Sequence, residues 1–181
     1  MVHIISDSIA KDVDGIWHTK VSPFPGINLA RLSSRIQNTP SLVAKPFTLI
    51  HVGTNDIISR NSSDDYSVEE IISFYNNLIT IIRDINADTH IVFSAILPRP
   101  CDYDITKNKV KSVNDKLSDK CKERKCQFIH SFRPFFKNGK PDRSLFAVRD
   151  KGLHLNLEGT RRLKRFFINT VSHLLKGKFA M

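Results

Sequence analysis

Short apolar runs alternate with longer amphipathic stretches along this chain. Residues 2–6, 47–52, 91–97 and 126–131 are rich in Ile, Val and Phe and are bounded by polar or turn residues. Consecutive rather than alternate positions are apolar, which predicts strands covered on both faces, as in a parallel sheet. Between these runs, residues 27–37, 67–86, 105–124 and 157–175 carry helical patterns. In the second, Ile71, Phe74, Leu78, Ile81 and Ile82 make one apolar stripe, and Ser67 followed by Glu70 forms a capping-box signature. Strands alternating with helices predict an α/β fold: a central parallel sheet between helical layers, a three-layer sandwich. No repeat, low-complexity tract or long linker divides the chain, and 181 residues with 40% hydrophobic content fit one domain over residues 1–181.

The least regular stretches are 8–26, 53–65, 98–104 and 132–156. Three of them directly follow a predicted strand, where open α/β sheets form their ligand crevice. They also hold candidate chemistry. Acyl transfer by a hydroxyl needs a nucleophile, a base to take its proton, and donors for the charge that develops on the carbonyl oxygen. Ser8 follows the first strand, His154 stands in a loop before the last helix, and Gly26 and Asn55 occupy two further loops. Each has a plainer reading alone: Ser8 as a helix N-cap, Gly26 as a turn glycine after Pro25, Asn55-Asp56 as an Asx turn, and His154 as a satisfied loop histidine.

Four blocks in order carry a resemblance: Ser6-Asp7-Ser8, Phe24-Pro25-Gly26, Gly53-Thr54-Asn55-Asp56 and Gly152-Leu153-His154-Leu155-Asn156. Over residues 4–170 the chain resembles the SGNH (GDSL-type) hydrolases, with Ser6 where that family usually has glycine. The resemblance implies a flavodoxin-like α/β architecture and a serine esterase working through an acyl-enzyme. It makes Ser8 the nucleophile and His154 its base, with an oxyanion hole formed by the Ser8 N–H, the Gly26 N–H and the Asn55 side-chain amide. Asp7 and Asp56 fit supporting hydrogen bonds. The third triad member departs from the pattern: the family places an aspartate three residues before the histidine, and here that position is Lys151. Two arrangements stay open, Asp150 reaching His154 through a turn loosened at Gly152, or a backbone carbonyl leaving a Ser–His dyad.

The phrases Phe24-Pro25-Gly26, Ile96-Leu97-Pro98-Arg99 and Gly152-Leu153-His154-Leu155-Asn156 are also similar to esterase domains in first-open-reading-frame proteins of LINE-type retrotransposons, themselves related to platelet-activating-factor acetylhydrolases. This implies a cytoplasmic domain of a longer protein, with an ester or lipid substrate and with membrane or RNA nearby. The charge distribution bears on those partners. Residues 1–90 carry a net charge of −3 and residues 91–181 of +13, an asymmetry that suits RNA phosphates or an anionic membrane surface. A binding module that uses this basic surface, with weak or lost catalysis, is therefore the competing class.

Several classes are disfavoured. No run of about 18 apolar residues exists to span a bilayer, and no secretory signal pattern opens the chain. Cys101, Cys121 and Cys126 are odd in number without paired spacing, which argues for a reducing compartment, and Cys121, Cys126 and His130 lack the spacing of a zinc site. Gly-x-Ser-x-Gly, His-Glu-x-x-His and phosphate-cradling motifs are absent, and no metal or organic cofactor is implied.

Overall fold

The computed structural model describes residues 1–58 and 65–178, with side chains through residue 176. Five parallel strands form the central sheet: β1 (Val2–Ser6), β2 (Thr19–Pro23), β3 (Phe47–His51), β4 (His90–Ser94) and β5 (Gln127–Ile129), in the spatial order β2-β1-β3-β4-β5. Every residue of β1 and β3 is buried, as the consecutive apolar runs predict. Neighbouring side chains serve opposite faces. Ile5, Ile50 and Phe93, aligned in register, join one core; Ile4, Leu49 and Val92, one residue earlier, join the other.

The first core is closed by α1 (Leu29–Asn38), α3 (Val68–Ile85) and α4 (Tyr103–Glu123). The second is closed by α5 (Leu157–Lys178) through Leu163, Phe167, Val171 and Leu174, together with Phe135, Leu145 and Phe146 from the segment before it. Helix starts follow side-chain caps. Asn28 accepts from the Arg31 N–H at 2.9 Å. Ser67 and Glu70 bond reciprocally at 2.7 and 3.2 Å, which makes the predicted capping box real.

The structure departs from the sequence pattern in three places. Strand β2 lies inside 8–26, a stretch expected to be irregular; it is an edge strand, half-exposed along its length, so it needs no continuous apolar run and tolerates Pro23. β4 ends at Ser94, yet Ala95, Ile96 and Leu97 stay buried: the Ala95 N–H still donates to the Ile129 carbonyl at 3.0 Å, and the Asn114 side chain takes over both backbone groups of Ile96 at 2.8 and 2.9 Å. Within 53–65, a single helical turn, α2 (Thr54–Ile57), was not foreseen, and residues 59–64 of that stretch lie outside the described residues.

The strand order places the site. The chain runs from β1 outward to β2 and then back across to β3 on the other flank of β1. Loops following β1 and β3 therefore diverge at the carboxyl ends of the strands and leave a crevice between them.

Candidate active site

At the end of β1 the Asp7 N–H donates to the His51 carbonyl at 3.1 Å, the last tie to β3. The chain then tightens into a 3-10 turn, Ser8–Ala10, capped by the Asp7 carboxylate, which accepts from the Ile9 N–H at 2.9 Å. Asp7 rather than Ser8 fills the capping role, so the Ser8 hydroxyl is free for another partner. That partner is His154: its Nε2 lies 2.9 Å from Ser8 Oγ.

His154 Nδ1 lies 2.6 Å from Asp150 Oδ2. Asp150 Oδ1 also accepts from the N–H groups of Gly152, Leu153 and His154 at 3.2, 3.0 and 3.3 Å. Burial pushes this carboxyl up, but the His154 hydrogen bond and the backbone donors outweigh it and hold Asp150 below the usual carboxylate range. An ionised Asp150 fixes the imidazole proton on Nδ1 and leaves Nε2 as acceptor for the serine proton. The local backbone explains how a four-residue spacing works. Lys151 adopts a left-handed conformation, φ 59°, and Gly152 follows at φ 95° with a Cβ position that would fall 2.7 Å from Pro100 Cβ. These two residues turn the chain so that Asp150 faces His154, and of the two arrangements left open by the sequence, the Asp150 contact is the one present.

The remaining blocks are tied to β1 and to one another by hydrogen bonds. The Phe24 N–H donates to the Ser6 carbonyl at 2.7 Å and ties the Gly26 turn to β1. Gly26 has φ 76°, and a Cβ there would meet nothing within 4 Å, so glycine is required by conformation and its backbone lies open. Asn55, on α2, donates from Nδ2 to the Ile27 carbonyl at 2.9 Å, which leaves the second amide proton for another acceptor. The adjacent Asp56 accepts from the Leu29 N–H at 3.2 Å through both oxygens.

Asp7 and Asp56 are 1% exposed. Burial pushes both carboxyls up to about 7; the Asp56 charge adds to the rise at Asp7, while the Ile9, Thr54 and Gly53 N–H groups offset it in part. They brace the loops around the crevice rather than face it. His51 does not compete as a base, because burial pushes it down to about 4 and its Nδ1 pairs with Ser94 Oγ at 3.0 Å. Among the described residues no cluster of His, Cys, Asp and Glu could hold a metal ion.

Sequence reasoning missed two residues that shape this site. Tyr75, fully buried in α3, donates its hydroxyl to the Val52 carbonyl at 2.5 Å and sits where a side chain at Gly53 would go. Arg99 sends a buried guanidinium to the loop that carries Asn55. Its signal was present in hindsight: an arginine between Pro98 and Pro100, at the end of a buried apolar run, with Asp102 three residues on.

Comparison with known proteins identifies the family and the fold. Residues 12–162 match the model of the GDSL-like lipase/acylhydrolase family, a range that includes His154 and Asp150 and begins four residues after Ser8. A GDSL-like lipase from Bacteroides thetaiotaomicron shares the fold with a TM-score of 0.78 at 14% identity, over 96% of this chain and 88% of that one. An acetylxylan esterase from Geobacillus stearothermophilus, solved as a catalytic mutant, superposes with a TM-score of 0.69 at 14% identity, over 93% and 92% of the two chains. The esterase domain of a first-open-reading-frame protein from a zebrafish retrotransposon is 27% identical over 97% and 98% of the chains, but its TM-score of 0.49 is too low to speak for a shared fold. No curated protein matches the chain. With the blocks in order on a flavodoxin-like sheet and more than half the chain matched, this protein belongs to the GDSL-like lipase/acylhydrolase family and is a serine ester hydrolase.

Proposed function

We propose that the protein cleaves carboxylic esters, short-chain or lipid, through an acyl-enzyme on Ser8. The observation that carries this reading is the continuous relay from Ser8 Oγ to His154 Nε2 at 2.9 Å and from His154 Nδ1 to Asp150 at 2.6 Å. His154 removes the Ser8 proton as Oγ attacks the ester carbonyl. Charge developing on the carbonyl oxygen is met by the Ser8 N–H, the Gly26 N–H and the Asn55 amide. His154 then returns the proton to the leaving alcohol, and the carbon–oxygen bond breaks to leave acyl-Ser8. Water, deprotonated by the same imidazole, attacks the acyl-enzyme, and the carboxylic acid departs as Ser8 regains its proton. Asp150 keeps the imidazole in the required tautomer and stabilises its cation.

Hydrolysis of p-nitrophenyl acetate that disappears in Ser8→Ala tests the reading, and undiminished turnover in that variant sinks it.

The setting belongs to the same proposal: a retrotransposon-encoded cytoplasmic domain acting on lipid esters. It is supported by the block phrases and by the free thiols of Cys101, Cys121 and Cys126. No described helix is long and apolar enough to cross a membrane. A second role in binding RNA or an anionic lipid surface is favoured by α5, where Arg161 and Arg165 are exposed on one face. Arg162, by contrast, donates to the Pro134 carbonyl at 2.9 Å and serves the fold.

A further inference from the structure

We propose that Arg99 is a positioning residue for oxyanion stabilisation, acting through Asn55; the inference rests on the ester-hydrolase reading above. Asn55 rides on α2, which has four residues, no side-chain cap, and Gly53 at its N-cap with φ 137°. A single turn of helix is not stable by itself, so its orientation must be imposed from outside.

Arg99 imposes it. Its Nη1 donates to the Thr54 carbonyl at 2.6 Å and to Thr54 Oγ1 at 3.1 Å, gripping the residue next to Asn55. The other edge of the guanidinium forks onto Asp102, with Nε to Oδ1 at 2.9 Å and Nη2 to Oδ2 at 2.6 Å. Asp102 is anchored in turn, accepting from Thr106 Oγ1 at 3.0 Å at the start of α4. α4 is a 21-residue helix whose Val110, Val113 and Leu117 are buried against the sheet. A rigid element of the scaffold is thereby connected to the one turn that carries Asn55. On its far side α2 meets the Gly26–Leu29 turn, through Asn55 Nδ2 to Ile27 and the Leu29 N–H to Asp56. The turn carrying one proposed oxyanion donor is held against the turn carrying another.

Stability alone does not account for the arrangement. Arg99 is 8% exposed and its partner Asp102 only partly buried, and burying one ion of such a pair costs desolvation that offsets much of its attraction. What a forked guanidinium adds is geometry: it holds a carboxylate and a carbonyl at once in fixed directions, which a lysine ammonium does not. Oxyanion donors need such control, since they act only within about 2.7–3.1 Å of the developing charge.

The test is a double-mutant cycle on p-nitrophenyl acetate hydrolysis using Arg99→Met, Asn55→Ala and the pair. Arg99→Met is expected to lower kcat about 100-fold, as when one oxyanion donor is lost, with KM changed less than about twofold. In the Asn55→Ala background the same substitution is expected to cost less than about threefold, because contacting groups that act as a unit are not additive. Arg99→Lys should fail to restore kcat. Losses that multiply in the double mutant, or an Arg99→Met kcat within about threefold of wild type, overturn the proposal, since non-additivity is its signature. Asp102→Asn keeps the guanidinium and weakens only its anchor; it is run through the same cycle so that a poorly folding Arg99→Met does not decide the matter. It should cost roughly 10-fold alone and almost nothing on Asn55→Ala, and multiplying losses there overturn the proposal as well. Ser8→Ala is assayed alongside: turnover that survives it refutes the ester-hydrolase reading itself, separately from any role of Arg99.

Discussion

In the proposed mechanism Ser8, His154 and Asp150 divide the work of one proton transfer, and the environment of each fits its part. The Asp7 cap occupies the turn donor that a serine would otherwise serve, and the His154 hydrogen bond, with backbone N–H groups beside it, keeps Asp150 ionised. Asp150→Asn therefore preserves shape but loses the charge that selects the Nδ1–H tautomer. Turnover is expected to fall by about 10⁴-fold, the size of the comparable loss in the Ser-His-Asp triad of serine proteases, while circular dichroism stays unchanged. A loss under tenfold would mean that the imidazole is oriented by something else. Gly152→Ala probes the turn that brings Asp150 to His154. With φ 95° and Pro100 in the way, it is expected to reduce kcat sharply, and wild-type kinetics in that variant would show that the turn has slack. Asn55→Ala, removing one donor, is expected to lower kcat about 100- to 1000-fold with little change in KM.

The elements supporting these residues show where buried charge bears on stability. Asp7 and Asp56, pushed up to about 7 by burial, hold their protons in the native state at pH values where the unfolded chain, with carboxyls near about 3.9, has released them. Their contribution is therefore full below about pH 4 and is lost as pH rises toward 7. Measured against Asp56→Asn by thermal unfolding, wild-type stability should decline between pH 4 and pH 7; a constant difference across that range contradicts the assignment. Ser67→Ala, which removes the capping box of α3, should cost about 1 kcal/mol in denaturant unfolding. The elements also show what a sequence reveals. β1, β3 and the capped α3 were legible because burial on both faces or a reciprocal cap leaves a dense local signature. β2 was hidden because an edge strand needs no such density, and α2 because its shape comes from Arg99, Tyr75 and the Leu29 N–H rather than from its own residues. The Ser8–His154–Asp150 residues that the structure brings together were named by resemblance; their bracing was not, since Arg99 and Thr54 stand 45 positions apart in sequence and nothing local connects them.

At the scale of the whole molecule, net charge and catalysis are separable. The chain carries +10, and Arg161 and Arg165 are exposed on α5, on the opposite side of the sheet from α1, α3 and α4. If this face binds polyanions, affinity for a single-stranded RNA should fall steeply with salt. Arg161→Glu with Arg165→Glu should weaken it while leaving ester turnover intact, and salt-insensitive or undetectable binding would remove RNA as a direct partner. The account as a whole stands on Ser8. The most direct measurement is reaction of the protein with a fluorophosphonate, mapped by mass spectrometry, together with p-nitrophenyl acetate hydrolysis by wild type and Ser8→Ala. The account predicts one adduct, on Ser8, and turnover that vanishes in the variant. An unlabelled Ser8, or hydrolysis that persists without it, would contradict a serine esterase built on this triad.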